Sequence, residues 1–211
     1  METTRIIGAA FGATGAMAAL WQGARFCTLP PSPAKSIVKT TAVASLALAG
    51  AVLGAPGLIV AGLALGATGD FFLSRPGDNA FLAGMAAFAG GHLAYAAAFL
   101  FAGAGTPPPA LVLAFLALGA STEFWLAPRA GALRWPVRGY VLVILGMALA
   151  AMGLPAGHIV LKAGVLAFLA SDLILALATF VLRTPRTQRV AQYALWPLYW
   201  CGQALILCAS L

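Results

Sequence analysis

Two aspartates stand where an apolar setting should exclude them. Asp70 lies in a run that is apolar from Leu58 to Leu73 apart from Thr68 and itself, and Asp172 follows Ser171 deep inside another apolar run. A carboxylate within a membrane span costs at least ~2.5–3.5 kcal/mol on insertion scales, so it marks a function by default, with a polar packing contact as the plain alternative. His92, Tyr95, Tyr199 and Gln203 share such runs. Burial or a second nearby carboxylate keeps a carboxylic acid protonated, which suits general acid–base chemistry. The same residues can instead carry protons or hold a polar substrate in a transporter. His92 is either an orienting or catalytic group or a hydrogen-bonded packing residue. Ser171 either faces the site or bonds back to its own helix. Lys35 and Lys39 are first of all topology signals, and Lys35 can also meet a lipid phosphate.

These side chains need helices to position them. Gly62, Gly66, Asp70 and Ser74 recur every fourth residue, which puts three small residues and a carboxylate on one helix face. Such a stripe admits another helix backbone closely and turns Asp70 into a bundle. Gly84-x-x-x-Phe88-x-x-x-His92 and Gly164-x-x-x-Phe168-x-x-Ser171-Asp172 follow a similar pattern. The polar set is expected to line one cavity open toward the cytoplasmic leaflet, with Glu123 near Pro128 as an interfacial charge.

Of the 211 residues, 62% are hydrophobic and 8% charged, against about 25% charged in soluble domains. The chain reads as a single integral membrane domain, 1–211, all-α, a polytopic bundle of eight transmembrane helices. The expected spans are 4–21, 36–53, 57–75, 80–102, 108–127, 137–153, 158–182 and 189–210, separated by Pro- and Gly-rich breakers. Spans two and six are the short ones, which implies thin or tilted packing. Arg25, Lys35, Arg75, Arg129, Arg134, Arg138, Arg183, Arg186 and Arg189 all fall around odd-numbered loops. The positive-inside rule therefore puts those loops in the cytoplasm of a bacterial inner membrane and both termini outside. The +7 charge is accounted for by these loops, and no nucleic-acid partner is expected. Two histidines and three cysteines without ligand spacing make a metal site unexpected, and no phosphate-binding Gly loop or nucleophile elbow occurs. No cofactor is implied.

Lys35 opening the second helix, Gly69-Asp70, Gly91-His92-Leu93-x-Tyr95, Gly164-x-x-x-Phe168-x-x-Ser171-Asp172 and Tyr199-x-x-x-Gln203-x-Leu205-Ile206 together resemble the YhhN family. The resemblance covers nearly the whole chain, in order. It departs in having Lys35-Ser36 where the family usually has Lys-Pro. It implies a lysoplasmalogenase: hydrolysis of the vinyl ether of a lysophospholipid substrate in the lipid bilayer, giving a fatty aldehyde and a glycerophospho-alcohol. That reaction begins by protonating an alkene carbon and passes through an oxocarbenium ion, so two carboxyls can share the work as they do in glycosidases. Asp70 and Asp172 would be that pair, with His92 beside them. Tyr95, Ser171, Tyr199 and Gln203 would contact or orient the substrate or water, and Lys35 would meet the head group. A proton-coupled transporter or lipid-binding protein is the other reading.

Overall fold

A computed structural model describes residues 2–211 as eight α-helices: α1 (Glu2–Trp21), α2 (Pro33–Leu53), α3 (Gly57–Leu73), α4 (Asp78–Phe101), α5 (Pro109–Trp125), α6 (Arg134–Met152), α7 (Ile159–Phe180) and α8 (Pro185–Cys208). The helices begin and end where the sequence stops supporting them. Ser32 caps α2 by accepting from the Lys35 N–H, with Pro33 in the first turn, and Gly54 closes it at φ 81°. Thr184 and Pro185 open α8 in the same way. A π-helical turn, Gln22–Phe26, extends α1 into the first loop. Six helices are long and apolar enough to cross a membrane, which makes this an integral membrane protein.

Helix lengths differ from expectation. The second and sixth helices, α2 and α6, have 21 and 19 residues, whereas α3 and α5 have 17 each. Pro33 in the first turn of α2, and Arg134 and Pro136 in that of α6, are compatible with helix and lengthen elements that an apolar count truncates.

The chain packs α1 on α2, α2 on α3, α3 on α4 and α7 on α8, with α4 also against α6 and α2 against α8. Small residues set the closest approaches. A Cβ on Gly164 would lie 2.9 Å from the Gly202 carbonyl oxygen, so α7 and α8 touch backbone to backbone. The uncharged fourth and sixth loops meet through the Gly105 N–H and the Gly153 carbonyl at 2.9 Å. Lys162 donates to the Leu154 carbonyl at 2.6 Å and so secures the turn before α7. Helix α5 is peripheral. Only Phe115 and Thr122 are buried on it, while Leu113, Leu116 and Phe124 are exposed.

Candidate functional site

The expected stripe on α3 is buried along its length: Gly62, Gly66, Asp70 and Ser74 all face the interior. Each fits a particular neighbour. Built on Gly62, a Cβ would strike the Tyr95 ring, and on Gly66 it would fall 2.6 Å from Gln203 Nε2. Ser74 donates back to the Asp70 carbonyl at 2.7 Å and tightens the end of α3. Removing side chains at 62 and 66 thus makes room for the polar groups of α4 and α8.

Asp70 is fully buried and forms the first of two clusters. Lys39, one turn into α2 beyond Lys35, places Nζ 3.0 Å from Asp70 Oδ1. The Tyr199 hydroxyl donates to Oδ2 at 2.9 Å. Behind it, Gln203 Nε2 lies 3.5 Å from the Tyr199 oxygen, and the Tyr95 hydroxyl donates to Gln203 Oε1 at 2.5 Å. Three helices are joined by this directional chain, which aims the Tyr199 proton at Asp70. The ammonium of Lys39 at Oδ1 is the counterion of this carboxylate.

Asp172 forms the second cluster. The Tyr140 hydroxyl donates to its Oδ2 at 2.5 Å, and His92 Nε2 lies 3.1 Å from the same oxygen and 2.9 Å from the Tyr140 hydroxyl. With the proton on Nε2, His92 donates to an ionised Asp172; with Nε2 bare, it accepts from a protonated one. Either arrangement lets one proton be shared between imidazole and carboxyl. His92 Nδ1 is buried with no partner.

Phe88 and Phe168 lie between the clusters. The Tyr199 ring packs edge-on to both at 5.6 and 5.3 Å, and Phe168 lies 4.7 Å from the His92 ring. Among the described residues, no three His, Cys, Asp or Glu side chains converge.

The polar set does not line one open cavity. His92, Tyr95 and Gln203 are fully buried in packed protein, where Tyr95 bonds Gln203 and His92 bonds Asp172 and Tyr140. The cavity beside them is narrow, about 90 Å³, and apolar, lined mainly by α4, α5, α6 and α7. Leu118, Val141, Leu169 and Phe180 are typical of its wall, and Asp172 with Tyr140 forms its polar end. Ser171 donates to the Phe168 carbonyl at 2.7 Å, within its own helix, so it holds α7 together beside Asp172. Lys35 donates to the Leu29 carbonyl at 2.5 Å and sits 3.5 Å from that of Cys27, fastening the first loop. Glu123 forms a bidentate exposed pair with Arg138.

Sequence reasoning missed Lys39 and Tyr140 as site residues. Lys39 follows Lys35 by four residues on the same face, a spacing that could have pointed to it. Nothing in the sequence aims Tyr140 at Asp172. Cys27 is buried, its thiol donating to the Gln192 carbonyl at 3.0 Å, and burial pushes that thiol up from its ordinary range.

An integral membrane helical bundle with two carboxylate clusters on either side of an aromatic pair is the class this geometry defines. A family model described as the YhhN family matches residues 34–210, and the chain belongs to that family. No curated protein and no solved structure matches the chain.

Proposed function

We infer that this chain is an intramembrane hydrolase that cleaves the vinyl ether of lysoplasmalogens to a fatty aldehyde and a glycerophospho-alcohol. Family membership supports the reaction class. The observation that carries the reading is the division of surroundings between the carboxylates. Asp172 ends an apolar cavity within hydrogen-bonding distance of His92 and Tyr140, while Asp70 faces a lysine and a phenol.

This division assigns roles. The alkene carbon that must be protonated belongs to the hydrocarbon chain, so with that chain in the cavity it lies against Asp172. Asp172 passes its proton to that carbon, leaving an oxocarbenium ion on the adjacent carbon and ether oxygen. Asp70, ion-paired and therefore the charged member, stabilises the cation along with the faces of Phe88 and Phe168. A water then adds to the carbon, and Asp70 takes its proton. Collapse of the hemiacetal returns a proton from Asp70 to the departing glycerol oxygen and one from the hemiacetal hydroxyl to Asp172. One water is consumed, and both carboxyls regain their starting states.

The deciding measurement uses purified protein in lipid with a synthetic lysoplasmalogen, read as free aldehyde. Release should be at least tenfold faster than from the two-chain plasmalogen, since the cavity is narrow. Fatty acid freed comparably from an ester lysolipid would make the protein a lysophospholipase. A transporter would release neither product.

The same reading includes eight spans, with the basic loops cytoplasmic and both termini outside. α3 is short for a span, and α8 opens on the polar turn Pro185-Arg186-Thr187-Gln188-Arg189, yet both pack within the bundle. Reporter fusions after Thr106 and after Arg183 should report opposite faces; the same face for both would end the eight-span scheme.

A further inference from the structure

We propose that Gln22, Ser36, Lys39 and Thr40 form a recognition pocket for a phosphodiester head group, built where the π-helical end of α1 meets the first two turns of α2. The proposal rests on the lysolipid reading above and names the part of the site that holds the charged end of that lipid.

The first observation is a concentration of unmet polar atoms. Among the described residues, Gln22 Oε1, Ser36 Oγ and Thr40 Oγ1 are buried side-chain polar atoms without a partner. Gln22 and Ser36 are 2% and 5% exposed, so solvent does not satisfy them. Buried polar groups are otherwise nearly always bonded, and a cluster of exceptions calls for an occupant. The amide of Gln22 can turn end for end to present its N–H₂, and each hydroxyl can donate.

The second observation is placement. Ser36 and Thr40 are one turn apart on α2, with Lys39 between them on the same side. Gln22 lies in the turn that packs against α2. That turn is π-helical, a form concentrated at functional sites. The Lys39 ammonium favours an anion there. Lys39 spends one N–H on Asp70 and retains two. Asp70 itself is the one carboxylate present; it repels a free dianion but leaves a diester monoanion bridged to it through Lys39. The pocket sits at the basic-loop end of the bundle, where head groups lie, and is joined through Lys39 to the carboxylate that would act next to the glycerol oxygen.

The test separates this pocket from the reaction by using a ligand that cannot be cleaved. Wild-type protein in neutral lipid nanodiscs is titrated with a saturated alkyl-ether lysophospholipid and with the matching alkylglycerol, which lacks phosphate. The phospholipid should bind at least tenfold tighter, and Ser36→Ala/Thr40→Val should remove that preference. The same variant should melt at a higher temperature without ligand, because it deletes buried polar groups that have no partner. Equal binding of the two wild-type ligands, or a preference that survives the substitution, overturns the pocket. A lower melting temperature with unchanged binding makes the hydroxyls packing groups and also overturns it. Displacement of the lysolipid by millimolar inorganic phosphate makes free phosphate the occupant and overturns the head-group assignment. Because no step depends on cleavage, failure of aldehyde release alone leaves the binding result standing.

Discussion

On the proposed mechanism, Asp172→Asn should lower kcat for aldehyde release by about 10²–10⁴-fold while the protein remains folded, the range expected when a general acid is removed. The amide keeps the shape of the carboxyl and can still accept from Tyr140 and His92, so the helices have no reason to move. It cannot deliver a proton to carbon. Asp70→Asn loses a similar factor by a different route, since the amide neither balances the cation nor takes a proton from water. His92→Gln falls less, because the carboxyl remains. Wild-type turnover slows in deuterated water if proton delivery to carbon limits the rate. Measured aldehyde release near the wild-type level in a well-folded Asp70→Asn or Asp172→Asn protein would disprove the division of labour between them.

Lys39→Met destabilises the protein by about 3 kcal/mol, near the lower end of the ~3–5 kcal/mol found when one partner of a buried ion pair is removed. The lower end applies because the Lys39 side chain is 16% exposed, against 1% for Asp70. The loss comes from leaving the Asp70 charge without a counterion in an apolar surround. A second substitution, Asp70→Asn, therefore restores most of it. Equilibrium unfolding of the two single variants and the double variant in mixed detergent gives the coupling directly. A Lys39→Met protein as stable as wild type, or additive losses in the double variant, would show that the pair contributes nothing.

Most of the architecture was legible because membrane helices are long apolar runs between Pro and Gly breakers. The eight expected runs coincide with α1 to α8, apart from a few residues at each end. Asp70, Asp172 and His92 were legible for the complementary reason, that polar groups stand out against apolar sequence. The Gly62–Gly66–Asp70–Ser74 stripe also gave the face of α3 correctly. What stayed hidden were partners across helices. Lys39 looks like any basic residue at a membrane edge, and only the approach of α2 to α3 makes it the counterion of Asp70. Lys35 is the more prominent residue in the motif, but the first loop folds back and its carbonyls claim that ammonium. Tyr140 lies near the start of α6, and its contact with Asp172 depends on how α6 and α7 cross, which no local pattern encodes. Ser171 shares a motif with Asp172 yet turns toward its own backbone, the usual alternative for a helical serine.

The ion pair on Asp70 also bears on self-inactivation. A fatty aldehyde condenses with a neutral amine to an imine, and an ammonium has no lone pair with which to begin. The nearest lysine to the proposed reaction is held against a carboxylate at 3.0 Å, in its unreactive form. The new carbonyl, for its part, would emerge at the head of a cavity whose lining includes neither lysine nor cysteine. Cys27, the buried thiol, is engaged with the Gln192 carbonyl. Under the proposed reaction the aldehyde would therefore meet neither an amine nor a thiol in the cavity wall, and the hydrocarbon product could pass to the bilayer beside α5.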